Sequence, residues 1–502
     1  MSVQRTGAQG PHRTDWSSLA DPFVTPTGFR DYDARWLFPD EVNLAGVNAV
    51  GLAIGDLMLD RGIRPTIVAG HDFRRHSIPV SNALNLGLVE AGIEVLDIGM
   101  VLSPIAYFAR LHLDVPSVAM VTASHNPAGW TGIKLGFEHP LTCGSEDMNE
   151  LRDRVFKACP GRRPGGAYRS VSGIPEAYLS DLADSVRVSR RLKCVCATAN
   201  GTASAFAPDL LSRLGMEVVP LHTQPDHRFP NYNPNPEALN MLRDMASAVE
   251  ICAADLAFGF DGDGDRLGVV DNRGHTVSAD KLGLLLARFL ARSNASARFI
   301  ADVKSTGLFW TDEVLGNLGC AVQFARTGHS HMKRMLRDSG ALAGFEKSGH
   351  FYFSEPIGHG YDCALRAAAL VCQLLDAHPD RSLSDLIDQL PSTWISPTMS
   401  PHCADDAKHE VMARLNQALR RFAHQGGQLA GRGVSEVIEV DGTRLMLEDG
   451  SWALVRASSN MPNLVVVCES ARSERDLRRI FSAFDALLRQ TASFGEYDQS
   501  ID

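Results

Sequence analysis

No stretch of this sequence approaches the roughly 18 consecutive apolar residues needed to span a bilayer. The best candidate, Leu282 to Leu290, is broken by Arg288 and followed by Arg292. Residues 1–20 are polar and of mixed charge without a continuous apolar core, so they do not read as a secretory signal. Residues 1–22 are expected to be a disordered lead-in. No C-x-x-C pair exists among the ten cysteines, which excludes a zinc ribbon and a thioredoxin-type site. Cys194, Cys196, Cys252 and Cys468 sit in apolar, strand-like contexts, so buried free thiols in a reducing, cytoplasmic compartment are expected. Excess positive charge is also missing. A net charge of −10 disfavours nonspecific binding to nucleic acid or to an anionic membrane, while leaving room for an anionic small substrate at a local cluster of Arg and Lys.

What is present is the balance of a globular protein, 44% hydrophobic and 22% charged over 502 residues. That length calls for three or four domains rather than one core. Short Val/Ile/Leu-rich runs alternate with helical stretches. Thr66 to Ala69 reads as a strand, Val80 to Ala91 as a helix, and Glu94 to Ile98 and Val118 to Thr122 as strands. The rhythm returns at Cys194 to Ala197, a helix around Ala205 to Leu214, and Glu217 to Leu221. It returns again at Phe299 to Val303, a helix near Leu308 to Leu318, and Ala321 to Ala325. Such alternation argues for mixed or parallel sheets covered by helices. The last stretch differs: Val437 to Leu447 and Trp452 to Ala457 flank the hairpin signal Glu448-Asp449-Gly450. A strand at Leu464 to Val467 and a helix from Glu474 to Leu488 follow, as in a separate α+β domain. The Pro/Gly-rich Pro160 to Gly166 and the Pro-containing Ser392 to Pro401 are candidate boundaries.

Four loops carry chemistry. Thr122-Ala123-Ser124-His125-Asn126-Pro127 follows a strand at its carboxyl end, where open α/β sheets bind ligands. Pro127 and Gly129 stop the strand, and Ser124 is expected on a tight, exposed turn. Its hydroxyl needs a base or metal, and His125 is not expected to serve, since neighbouring side chains usually point apart. Asp261-Gly262-Asp263-Gly264-Asp265-Arg266 sets three carboxylates at alternate positions, which repel one another unless a cation lies between them. A calcium EF-hand would need Gly at Arg266 and Glu at Asn272, so that match fails, and the carboxylate count and the phosphate context of the other loops favour Mg²⁺. In Gly344-Phe345-Glu346-Lys347-Ser348-Gly349-His350, a carboxylate, a hydroxyl and an imidazole suit the vicinal hydroxyls of a sugar. In Arg456-Ala457-Ser458-Ser459-Asn460-Met461-Pro462, a guanidinium, hydroxyls and an amide form a phosphate cradle.

With these loops in this order, the chain resembles the α-D-phosphohexomutases, in particular the bacterial phosphomannomutase/phosphoglucomutase group, from about Phe29 to near its end. The family's T-A-S-H-N-P and N-G-I-K segments correspond to Thr122 to Pro127 and Thr131-Gly132-Ile133-Lys134, and D-G-D-x-D-R to Asp261 to Arg266. F-R-x-Y-D-x-R appears at Phe29 to Arg35 and G-x-D-x-R at Gly70 to Arg74. Further matches are Asp302-Val303-Lys304 and Thr327-Gly328-His329-Ser330. The resemblance implies an α/β fold: three related α/β domains with mixed sheets plus a smaller C-terminal α+β domain around a central cleft. Their expected ranges are 23–168, 169–275, 276–392 and 393–502.

It also implies reversible transfer of a phosphoryl group between the 6- and 1-positions of a hexose phosphate, mannose phosphate first and glucose phosphate second. Ser124 would carry that group and, with Asp261, Asp263 and Asp265, hold Mg²⁺. A sugar 1,6-bisphosphate would be both intermediate and activator. Glu346 and Ser348 would choose the sugar, and Arg456, Ser458, Ser459 and Asn460 would hold the phosphate that is not reacting. Tyr32 joins the substrate contacts, Arg266 neutralises charge, Lys304 and His329 are supporting cations, and Lys134, His350 and Arg35 are candidates for the general base. Partners are small hexose phosphates, with neither nucleic acid nor membrane. Two departures stand out: Lys347 occupies a position usually Met or Gln, which leaves the sugar open, and Asn460 and Met461 replace a usual Thr and a usual Glu or Thr. The alternatives are a phosphoglucosamine mutase, a metal-dependent phosphatase and a non-catalytic phosphosugar-binding protein.

Overall fold

The computed structural model describes residues 21–157, 161–458, 462–499 and 501. The expected lead-in lies almost wholly outside them. The chain divides into two compact units. The first comprises the described residues up to Val277 together with Gly349–Leu383, and the second comprises Ser278–Ser348 together with those from Ser384 onward.

The first unit holds two mixed sheets. One is built from β1 (Ala34–Leu37), β2 (Thr66–His71), β3 (Glu94–Met100), β4 (Ser117–Val121), β5 (Trp130–Gly136) and β6 (Ala167–Ser170), in the order β1-β5-β4-β2-β3-β6. β2, β3, β4 and β6 run parallel, and β5 turns back antiparallel to β4 and β1. Every residue of β4 is buried. A continuous apolar strand is what a sheet covered on both faces requires. Helices Leu44–Asp60 and Ser77–Glu90 cover part of that sheet and approach each other closely at two glycines. A Cβ at Gly51 would lie 2.3 Å from the Leu84 carbonyl oxygen, and one at Gly87 would lie 2.2 Å from that of Asn48.

The second sheet, in the order β11-β10-β9-β7-β8, uses β7 (Lys193–Ala197), β8 (Glu217–Leu221), β9 (Leu256–Phe260), β10 (Leu267–Asp271) and β11 (Thr276–Val277). Its apolar face packs on Met241, Met245 and Val249 of helix Leu239–Cys252. Cys252 therefore ends a helix rather than lying in a strand. The nine cysteines among the described residues are all free thiols.

In the second unit β12 (Arg298–Asp302) runs parallel between β13 (Ala321–Ala325) and β14 (Ala343–Phe345). An antiparallel sheet closes the chain, ordered Trp394–Ile395, Leu464–Ser470, Trp452–Ala457, Thr443–Leu447, Arg432–Ile438, Gln428–Leu429. Helices Asp405–His424 and Glu474–Thr491 supply Leu415, Leu419, Ile480 and Phe484 to its core. The α/β class with a distinct terminal α+β part is thus as expected.

Two elements differ from expectation. The helix expected near Leu308 to Leu318 is two short ones, Leu308–Thr311 and Glu313–Asn317. Asp312 takes an extended conformation between them, and its carboxylate accepts the Leu315 N–H at 2.9 Å. An N-cap here restarts the helix. The strand expected over Val437 to Leu447 is broken at residues 439–442 into Arg432–Ile438 and Thr443–Leu447. Gly442 at φ +76° makes that break, a conformation that favours glycine. No helix among the described residues is long and apolar enough to cross a membrane.

Candidate active site

Ser124 lies just beyond β4 with φ +50°, the left-handed region, which non-glycine residues seldom occupy outside constrained turns. That backbone angle has two consequences. It brings the His125 ring round, so that Nδ1 lies 3.2 Å from Ser124 Oγ, against the expectation that the two side chains diverge. It also folds the turn inward, and Ser124 is 2% exposed rather than on an exposed turn.

Arg74 holds this turn from behind. Its guanidinium donates to the carbonyl oxygens of Ser124 (2.8 Å), Asn126 (2.7 Å) and Pro127 (2.5 Å), while Nε pairs with Asp72 at 3.1 Å. Only a planar five-donor group can collect this many acceptors. Arg74→Lys is therefore expected to cost about 3 kcal/mol in urea unfolding, the scale of a broken buried ion pair. It should also lower turnover at a stability-matched temperature.

The acid loop joins β9 to β10 and meets the serine turn directly. Ser124 Oγ donates to Asp261 Oδ2 at 3.0 Å. A Cβ on Gly262 would lie 2.3 Å from the Ser124 carbonyl oxygen, so glycine is needed for the two loops to touch. Asp261, Asp263 and Asp265 are all buried, and one oxygen from each lies within 4.8 Å of the others. Burial and the neighbouring Asp265 and Asp263 push the Asp261 carboxyl well above its usual range. Burial alone would raise Asp265 too, but Lys134 and His350 hold it well below. Asp263 Oδ1 has no hydrogen-bond partner. Three buried carboxylates with an oxygen left over are a donor set that fits a hard divalent cation.

Cations and imidazoles crowd the same place. Lys134, from β5, sends its ammonium to Asp263 Oδ2 at 2.6 Å and also pairs with Asp265. Burial opposes its charge, yet Asp263 and Asp265 hold its pKa well above the usual value. Ser103, the first residue of helix Ser103–His112, donates to Asp263 Oδ2 at 2.5 Å. Arg35 donates to Asn126 Oδ1 at 2.5 Å and pairs with Asp33 at 2.8 Å. Tyr32 is close enough to act electrostatically on both Arg35 and Arg266. Arg266 Nε lies 3.4 Å from His350 Nε2, which is itself 3.5 Å from Asp265 Oδ1. Burial, reinforced by Arg266 and Arg35, keeps the His125 imidazole well below its usual pKa and hence neutral.

The residues expected to meet the sugar and the non-reacting phosphate lie in the second unit. Glu346 is buried, and its Oε1 accepts the Gly328 N–H at 2.7 Å. His329 opens helix His329–Ser339. Asp302 Oδ1 accepts the Lys347 N–H at 3.1 Å, and its Oδ2 accepts Thr327 Oγ1 at 2.9 Å and lies 3.9 Å from Lys304 Nζ. The Lys347 ammonium is buried and makes no hydrogen bond. Ser348 follows it, half-buried. Arg456 Nε pairs with Asp441 Oδ2 at 2.6 Å, and the Ser458 N–H donates to the Asn463 carbonyl at 2.9 Å. Ser459 and Asn460 lie outside the described residues. His125, Arg74, Ser103 and Asp441 are the residues sequence reasoning missed. G-x-D-x-R carried a signal for Arg74, whereas the other contacts depend on backbone angles or long-range pairing.

Models of the phosphoglucomutase/phosphomannomutase α/β/α domains I, II and III match residues 26–160, 176–274 and 278–394. The chain is 32% identical to a phosphomannomutase/phosphoglucomutase of Pseudomonas aeruginosa, covering 95% of this chain and 98% of that protein. It is 33% identical to one of Pseudomonas syringae pv. tomato, covering 94% and 97%. A crystal structure of a phosphoglucomutase/phosphomannomutase family protein from Burkholderia thailandensis superposes with a TM-score of 0.84 at 28% identity, covering 94% of this chain and all of that one.

Proposed function

We infer the activity from one premise: this chain belongs to the phosphoglucomutase/phosphomannomutase family. It is an isomerase that moves a phosphoryl group reversibly between the 6- and 1-positions of a hexose phosphate, mannose phosphate by preference and glucose phosphate as well. The observation that carries the reading is the Ser124 hydroxyl, 3.0 Å from Asp261 within a trio of buried acids.

Ser124 carries the phosphoryl group. On transfer, the bond from phosphorus to Ser124 Oγ breaks and one to the free sugar hydroxyl forms, giving a 1,6-bisphosphate. Reversed with the other phosphate, the same exchange restores phosphoserine and releases the isomer. A bisphosphate that escapes and returns acts as the activator. Asp261, Asp263 and Asp265, with Ser124, would hold Mg²⁺, which neutralises charge on the transferring oxygens. Arg266 adds to that neutralisation.

The hydroxyl proton goes to His350 in our assignment. Lys134 is held as a cation by two carboxylates, and Arg35 is a guanidinium, which leaves His350 as the remaining candidate. His350→Ala is expected to lower kcat roughly 100-fold with little change in KM, read by steady-state kinetics. Glu346, Ser348, Lys304 and His329 bind the sugar, with Tyr32 as a further contact. Arg456, Ser458, Ser459 and Asn460 take the non-reacting phosphate. We keep the domain junctions near residues 168, 275 and 392 as part of the same proposal. Free thiols throughout the described residues support a cytoplasmic enzyme.

Incubation with glucose 1,6-bisphosphate should add the mass of one phosphoryl group to the intact protein and to the peptide bearing Ser124. Parallel assays of mannose, glucose and glucosamine 1-phosphates then rank the sugars. Inorganic phosphate released in step with substrate loss, or no turnover of any of the three, would overturn the reading.

A further inference from the structure

We propose that Asp441 is a positioning residue that holds the Arg456 guanidinium in register with the sugar-side loop. The inference rests on the assignment of Arg456 to phosphate binding made above. Arg456 lies near the end of strand Trp452–Ala457, and the turn at 439–442 is pressed against that end. A Cβ on Gly442 would lie 2.1 Å from the Val455 carbonyl oxygen and 2.7 Å from Arg456 Cα. This contact brings Asp441 Oδ2 to 2.6 Å from Arg456 Nε, with the two side chains only 10% and 7% exposed. The pair is thus shielded rather than a solvated surface contact, and its orienting effect is retained.

The same carboxylate oxygen accepts the Thr327 N–H at 3.4 Å. From Thr327 the connections run onward: Oγ1 to Asp302 Oδ2 at 2.9 Å, Asp302 Oδ1 to the Lys347 N–H at 3.1 Å, and the Gly328 N–H to Glu346 Oε1 at 2.7 Å. Asp441 therefore sits where the phosphate-side arginine and the turn that supports Glu346 are joined. With Nε engaged, the plane of the guanidinium is set, and its terminal edge is the one that matches a phosphate with two parallel hydrogen bonds. Holding that edge in advance fixes its distance and angle to the sugar-side loop, which matters to a ligand that must meet both at once.

Simple electrostatics predicts the opposite sign for the same residue. A carboxylate beside Arg456 repels phosphate, so removing its charge should tighten phosphate binding if charge alone mattered. Positioning predicts weaker binding, and only for a ligand that must engage arginine and sugar loop together. In Asp441→Asn, KM for glucose 1-phosphate should rise roughly 10-fold, the scale of one charge-assisted hydrogen bond, with kcat and thermal midpoint close to wild type. Inhibition by inorganic phosphate should change by less than about 2-fold on the same reasoning, because free phosphate needs no register with the sugar loop. Asp441→Glu should recover part of the loss, and it serves as the test if the asparagine variant fails to fold. An unchanged or lowered KM in folded variant, or an equal loss toward inorganic phosphate, overturns the proposal. Wild-type protein inactive on every hexose phosphate would instead defeat the functional reading, and this inference with it.

Discussion

Ser124→Ala is expected to lower kcat by at least about 10,000-fold, as removal of a covalent nucleophile does elsewhere. The change deletes one oxygen and leaves the Arg74 clamp on the backbone carbonyls intact, so the fold should hold. The hydroxyl gives up hydrogen bonds to Asp261 and His125 only, and a thermal midpoint near that of wild type would separate loss of chemistry from loss of structure. The intact mass should no longer rise on exposure to glucose 1,6-bisphosphate. Purified Ser124→Ala protein that still interconverts the sugar phosphates would remove the phosphoserine from the mechanism altogether.

Asp263→Ala should cost roughly 1,000-fold in kcat, the scale of losing a main electrostatic stabiliser of the transferring group. Asp263 does more than one job: Oδ2 receives Ser103 and Lys134, while Oδ1 remains without a partner. Its removal takes one oxygen donor from the trio and frees the Lys134 ammonium to follow Asp265 alone. Stoichiometric metal, measured by mass spectrometry after dialysis against Mg²⁺, should fall with activity. Activity that is unchanged and indifferent to EDTA in both proteins would rule out the metal assignment.

The motifs were legible because each is local. An S-H-N-P turn, alternating aspartates and an Arg-Ala-Ser-Ser loop carry their chemistry within seven residues, so their order along the chain, matched to one family, exposes them. What could not be read depends on geometry between distant residues. His125 turned out beside Ser124 because of one left-handed φ, and nothing in a composition-based reading announces that angle. Arg74 acts on carbonyls about fifty residues away in sequence, which is tertiary pairing. The broken helix at Asp312 was within reach: Thr311-Asp312-Glu313 contains an N-cap signal inside an apolar run. The expected strand through Val437 to Leu447 failed for a similar reason, since Asp441-Gly442 is itself a turn signal. That oversight concealed the carboxylate now assigned to Arg456.

The first unit is not a continuous piece of chain. It takes residues up to Val277, yields to Ser278–Ser348, and resumes at Gly349–Leu383. The returning piece is not peripheral, because Leu267 N donates to the Gly349 carbonyl at 2.9 Å, Ala364 N donates to that of Gly264 at 3.1 Å, and His350 comes to Arg266. During synthesis, at about 5–20 residues per second, the serine turn and the acid loop leave the ribosome several seconds before the histidine that completes their surroundings. A nascent chain stalled before position 349 would therefore hold Ser124 and the three aspartates without the imidazole that comes to Arg266 and Asp265.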